Sequence, residues 1–203
     1  MAKKKNKTKI EKIKQTMWIK HRVFPLYIIF AILLVTMGYS YYRYLDGKVE
    51  ITEGLSSENM EKIELEKEIL GMVEGYPIEQ MVPFIVEKDQ IVAAFIVSIA
   101  KKESNWGKKA PVYQGKDCYN YWGYRGPNRV GSGGHSCFNN PKEAVDIISK
   151  RIETLVFKNG LNTPEKMIVW KCGSSCTTHN KYGVRKWISD VNLYFDKLTT
   201  TFF

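Results

Sequence analysis

The sequence predicts a mainly α-helical domain carried behind one membrane-spanning helix. Three observations lead there. Val23 to Tyr42 is a run of 20 residues without a charge, long enough to cross a bilayer as a helix. Beyond residue 76, apolar residues recur at steps of three and four, the spacing of helices with one buried face. The stretch between the long helices, residues 104–138, is rich in Gly, Tyr and Asn, and reads as long loops with room for a small β-hairpin. The expected order is a basic tail over 1–22, an anchor over 23–45, an acidic helical stalk over 46–76 and a helical domain over 77–203.

Charge gives the anchor its orientation. Residues 1–22 hold eight Lys and one Arg against a single Glu, a net +8. By the positive-inside rule this tail is expected in the cytoplasm and the rest outside. Tyr39, Tyr41, Tyr42 and Tyr44 are expected at the outer interface, with Trp18 near the inner one. A cleaved signal peptide is the competing reading, but the apolar run is long for one and no clear small-x-small site follows. Residues 46–76 carry nine acids and three Lys, and residues 77–203 carry 18 basic and 11 acidic residues. The +7 exported part suits an anionic polymer. Bacterial cell wall fits that topology. Nucleic acid does not, and no basic helix of groove-reading type is present.

The helices follow in order. Ser57 is suited to cap a helix to about Val73, with Ile63, Ile69, Leu70 and Val73 on a partial apolar face. Pro77 opens a short helix that Pro83 limits or kinks. Asp89 caps the central helix, which runs through Ile91–Ala100 to Glu103. Gly107 suits a left-handed cap beyond it. Asn140-Pro141-Lys142-Glu143 is a strong helix start, with the helix running to Asn159-Gly160. Thr163-Pro164 starts a short helix through Trp170. Val184, Trp187, Ile188, Val191, Tyr194, Phe195 and Leu198 mark an amphipathic terminal helix.

Glu103 carries the chemistry. Val92, Ile96, Ile99 and Glu103 fall on one helix face, so the carboxylate is expected to ride a buried stripe to its end. Burial and the negative end of the helix dipole both favour its protonated form, which is what a general acid needs. A Glu at a helix end is ordinarily solvent-facing and idle. The neighbours argue otherwise: Ser104, Asn105 and Trp106 follow it, and a second block, Tyr119 to Gly126, includes Asn120, Tyr121, Trp122, Tyr124 and Arg125. Aromatic faces beside amides suit sugar rings, which offer apolar C–H faces and a rim of hydroxyls.

The four cysteines, Cys118, Cys137, Cys172 and Cys176, lie on the exported side, where disulfides persist. Of the three pairings open to four cysteines, Cys118–Cys137 with Cys172–Cys176 is the simplest, because each pair brackets a local loop. Zinc, with His135 and His179 as further ligands, competes; Cys-x3-Cys is a possible spacing, but no second pair repeats it. No metal or other cofactor is expected.

At these residues the chain resembles the glucosaminidase branch of the lysozyme-like superfamily (mannosyl-glycoprotein endo-beta-N-acetylglucosaminidase-like domains), related to the lytic transglycosylases. Glu103-Ser104-Asn105-Trp106-Gly107 matches that family's Glu-Ser-x-aromatic-Gly motif. Asn120-Tyr121-Trp122-Gly123-Tyr124-Arg125-Gly126 matches its Asn-Leu-Phe-Gly-Ile-Lys-Gly type block. Phe138, Pro141, Glu143 and Ala144 match a third. The three blocks agree in order and spacing over roughly 77–198. The resemblance implies a lysozyme-like fold, peptidoglycan glycan strands as substrate, Glu103 as catalytic acid, and Trp170 as an aromatic low in the sugar groove. Phe138 replaces a common tyrosine, and both cysteine loops are additions. No second carboxylate falls at an obvious family position; Asp117 is nearest, but reads as a turn residue. Asp146 and Asp190 are expected on solvent-exposed helix faces.

Glycoside cleavage normally takes two carboxyl groups. One suffices where the substrate's own N-acetyl or 6-hydroxyl group is the nucleophile. The sequence leaves hydrolase and lytic transglycosylase both open, and beside them a non-catalytic wall-binding or envelope assembly module on the same fold. Three histidines supply no ligand set for a metal-dependent wall peptidase.

Overall fold

A computed structural model describes residues 2–200, with side chains at position 25, at 27–46 and from 59 to 200. The protein is mostly helical, with a few very short strands. It divides into two compact units, Met1–Ser57 and Glu58–Phe203, each described by itself.

Helix α1 spans Ala2–Val73. The backbone is helical on both sides of Ser57, so no helix begins there; the Ser57 side chain lies outside the described residues, as does Trp18. Within the first unit, Tyr27–Asp46 is long and apolar enough to cross a membrane, and none of it is buried. Tyr39, Tyr41, Tyr42 and Tyr44 are all exposed.

The second unit begins with the end of α1. Leu65, Ile69 and Val73 enter the core, whereas Ile63 is 59% exposed and Leu70 lies at the edge. Ile69 and Val73 thus bury as expected, Leu65 joins them, and Ile63 and Leu70 do not. A 3-10 turn, Pro77–Met81, leads into α2, Val82–Ile85, with Pro83 at the helix start, where its missing N–H costs nothing.

Helix α3, Gln90–Ser104, is the axis of the unit. The Asp89 carboxylate caps it, accepting from the Ile91 N–H at 2.9 Å. Every residue from Val92 to Ala100 is buried, so α3 is enclosed on all sides. The helix ends one residue later than expected. Its left-handed cap is Asn105 (φ 51°, ψ 54°) rather than Gly107.

Two antiparallel hairpins follow: β1 Val112–Tyr113 with β2 Lys116–Asp117, and β3 Arg129–Val130 with β4 His135–Ser136. Helix α4, Pro141–Glu153, starts as its sequence predicts, with Asn140 Oδ1 accepting from the Glu143 N–H at 2.9 Å. Glu143 reaches back to the Asn139 N–H, one residue before the cap. The helix stops at Glu153 and continues as a π-turn, Thr154–Lys158. The segment after Pro164 is a 3-10 turn, Lys166–Ile168, joined to α5, Val169–Cys172.

Helix α6, Lys181–Thr200, packs along α3. It buries Trp187, Val191, Phe195 and Leu198, and Phe195 meets Phe95 at 4.4 Å between ring centres. Lys102 joins the two helices through Asp190 at 2.6 Å. Both disulfides form as the local loops predict: Cys118 with Cys137, and Cys172 with Cys176.

Candidate functional site

The end of α3 is held by its own polar residues. The Ser104 hydroxyl donates to the Tyr121 carbonyl at 2.7 Å and accepts from the Gly107 N–H at 2.9 Å. The chain then passes through three residues with positive φ, Asn105, Trp106 and Gly107. Gly107 is required twice over: its φ is +95°, and a Cβ there would lie 2.8 Å from Pro77 and 2.9 Å from the Tyr121 ring. Trp106 is buried, donates its indole N–H to the Val97 carbonyl at 2.9 Å, and carries the Lys101 ammonium 4.0 Å above its ring.

The second block does similar work. Asn120 is fully buried and uses its whole amide: Nδ2 donates to the Tyr124 and Ser136 carbonyls, and Oδ1 accepts from the Tyr124 N–H. Tyr121 is buried and donates its hydroxyl to Asp117 Oδ2 at 2.7 Å. Burial, then that bond, push the phenol far above its ordinary value. Asp117 also accepts from the Tyr119 N–H, the bond of a turn residue, and it does not line the groove at Glu103. Trp122 is fully buried and donates to the Ile96 carbonyl at 2.8 Å. The loop turns at Gly123 (φ +63°), whose face looks toward Glu103: a Cβ there would stand 3.7 Å from Glu103 Oε2.

Glu103 is exposed, contrary to the buried carboxylate that the helical stripe implies. The stripe misleads because α3 is buried all round up to Ala100 and emerges only in its last turn, where Gly123 leaves the side chain open. What α6 supplies instead is a single directed bond. The Trp187 indole N–H donates to Glu103 Oε1 at 2.7 Å, and Trp187 is itself 1% exposed. One carboxylate oxygen is therefore fixed from beneath.

Glu103 lines a groove of about 660 Å³. Trp122, Gly123, Tyr124, Arg125 and Trp170 share it. Tyr124 and Trp170 stack at 6.1 Å with 28° between their planes, and the Trp170 indole N–H donates to the Trp122 carbonyl at 3.0 Å. A half-buried pair of stacked rings with one N–H already anchored offers an apolar platform. Around it stand Arg125, Arg151, Lys171, His135 and His179. Glu103 is the one carboxylate among the described lining residues.

Of the residues singled out in the sequence, the structure gathers Glu103, Tyr124, Arg125 and Trp170 at the groove. Trp122 borders it but has a fully buried side chain, Ser104, Trp106, Asn120 and Tyr121 are buried in the frame behind it, and Asn105 lines a second cleft of about 490 Å³ that Glu103 also borders. Arg151, Lys171 and Trp187 escaped the sequence reading. Trp187 alone left a trace, since a buried indole N–H needs an acceptor. Asp146 and Asp190 are half-buried and ion-paired rather than free on solvent faces. Asp146 is held low by Lys142 and then Lys88. At Asp190 burial pushes the carboxyl up, but the bonds from Lys102 and Lys186 outweigh it and the net direction is down.

Size alone does not select the groove. A depression of about 740 Å³ along α6 is larger but gathers no aromatic side chain. Among the described residues no three His, Cys, Asp or Glu side chains cluster to hold a metal ion. Searches of family models, of curated proteins and of solved structures find no significant match to this chain.

Proposed function

We propose that this chain is a membrane-anchored enzyme that cuts the glycan strands of peptidoglycan, built on a lysozyme-like helical frame, with Glu103 as general acid and then base. The single observation that carries the reading is the groove itself: one carboxylate, fixed by Trp187 at 2.7 Å, beside the stacked Tyr124–Trp170 platform. A sugar ring lies its C–H face on such a platform, and its hydroxyls and amide reach the rim. Glu103 is exposed in the free protein. A bound strand would cover the carboxylate and exclude water, which strengthens every interaction with it. The basic rim, with Arg125 among its members, suits the carboxylates of the stem peptides. With one carboxylate at the groove, the nucleophile is the substrate's own N-acetyl or 6-hydroxyl group. The basic tail places the N-terminus in the cytoplasm and the domain outside.

A specific observation favours a second reading. Glu103 is the one carboxylate among the described lining residues, which also fits a module that binds wall without cutting it. Mass spectrometry of purified wall after incubation with the protein decides among the three cases. 1,6-Anhydro ends mark a lytic transglycosylase, new reducing ends mark a hydrolase, and unchanged strands reject the enzyme.

A further inference from the structure

Glu103 borders two clefts, not one. One is the aromatic groove. The other is the cleft of about 490 Å³, lined by Lys101, Lys102, Asn105, Lys109, Lys186 and Tyr194 together with Asp190 and Leu193. The two differ in chemistry. The aromatic groove stacks rings; this one sets four lysines against two carboxylates, Glu103 and Asp190.

Two of the lysines are committed. Lys102 and Lys186 both bind Asp190, at 2.6 and 3.0 Å. Lys102 joins α3 to α6, Lys186 pairs within α6, and together they leave Asp190 neutralised. Lys109 is exposed and has no carboxylate partner among the described residues. Lys101 has only ring faces beside it, with Trp106 at 4.0 Å, Tyr76 at 5.0 Å and Tyr194 at 5.7 Å. Aromatic faces orient an ammonium without neutralising it. The cleft therefore has two cations unspent, one of them held in place, next to the residue that reads as the acid.

We infer that this lysine-lined cleft is an anion-binding subsite, which takes a carboxylate-bearing segment of the glycan strand next to Glu103 and outside the aromatic groove. The inference rests on the glycan-cleaving reading for its ligand. It goes beyond that reading in adding a second, lysine-lined contact for charge beside Glu103, separate from the aromatic groove and its own basic rim. An uncharged strand loses the second contact.

The test uses the full chain in detergent with Glu103→Gln, so that a bound strand is not consumed. Two probes are compared: a peptidoglycan strand with free stem-peptide carboxylates, and a neutral chitin oligosaccharide of equal length. Adding Lys109→Glu is expected to weaken the carboxylated strand about tenfold and to flatten its salt dependence, with affinity for the neutral oligosaccharide held. Lys101→Gln, which removes the oriented cation, is expected to act in the same direction. Circular dichroism checks that each variant folds. Equal weakening of both probes, or no change in either, overturns the anion subsite. Wall cleavage by the parent chain is scored separately. If the parent does not cut but the charge-selective loss persists, the enzymatic reading falls and the subsite stands.

Discussion

Between Tyr119 and Arg125 the chain crosses from the core to the groove. Asn120, Tyr121 and Trp122 have no exposed surface, and each spends its polar group inside the protein. Past Gly123, Tyr124 stacks with Trp170 and Arg125 stands exposed at the rim. The same residue types, amide and aromatic, thus build the frame on one side of a glycine and line the groove on the other. The same division runs through Glu103 to Trp106: the carboxylate faces the cleft, and the two residues flanking Asn105 are buried and bonded to Tyr121 and Val97. A run of amides and aromatics in the sequence is therefore partly the composition of the scaffold beneath Glu103.

That contrast makes ordered predictions. The largest effect belongs to the frame. Trp106→Ala is expected to cost about 3–5 kcal/mol by emptying a buried aromatic site and to lower the urea midpoint of the domain accordingly. Loss of wall binding without loss of stability would show that Trp106 faces substrate after all.

The disulfides come next. Cys118–Cys137 closes a loop with a sequence separation of 19, and Cys172–Cys176 one of 4. On loop-closure grounds, removing the first by paired serine substitution is expected to cost about 3 kcal/mol, and the second about 2 kcal/mol. The second bridge sits at the groove, with Cys172 and Gly173 on its wall, so its loss is expected to weaken strand binding more than its stability cost implies. Paired calorimetry and binding measurements check both halves.

Trp170→Ala separates the groove from the frame. Its ring is half-buried, and removing one half of the stacked platform is expected to weaken glycan binding about tenfold with a smaller stability change than Trp106→Ala. A stability loss as large as that of Trp106→Ala would move Trp170 into the frame.

The smallest effect is acid sensitivity. Asp146 and Asp190 both have their carboxyls shifted below the ordinary 3.8. A folded value below the unfolded one means the pairs stabilise fully above that ordinary value and lose the contribution as pH falls through the lower folded values. Partly exposed pairs contribute less than about 1 kcal/mol each. The denaturation midpoint of the Asp146→Asn, Asp190→Asn double variant should therefore approach that of the parent in acid and fall below it near neutrality. An equal gap at every pH would assign the loss to packing.

Much of the frame was legible before the fold was known. Asp89 and the Asn140-Pro141 pair announce their helices because capping is local chemistry, and both cap as expected. The cysteine pairs were legible because each closes a short loop. The exposure of Glu103 was not. A helical stripe distinguishes inside from outside only when one face is wet, and α3 has no wet face from Val92 to Ala100. What surrounds its last turn is set by α6 and by Gly123, which no local pattern specifies. The same holds for the groove's rim: Arg151, Lys171 and His135 come from three separate elements. The bond from Trp187 to Glu103 spans 84 residues.

The central claim is that Glu103 is the proton donor at the junction of the two clefts. Glu103→Gln tests it most directly, because the amide keeps the shape and the place beside Trp187 but cannot give a proton. Release of soluble fragments from purified wall is expected to fall by about 10²–10⁴-fold, with fold and strand binding retained. Asp117→Asn, which alters a turn and its bond to the Tyr121 hydroxyl, is expected to leave that release close to the parent rate. A Glu103→Gln protein that opens wall as fast as the parent would contradict the account.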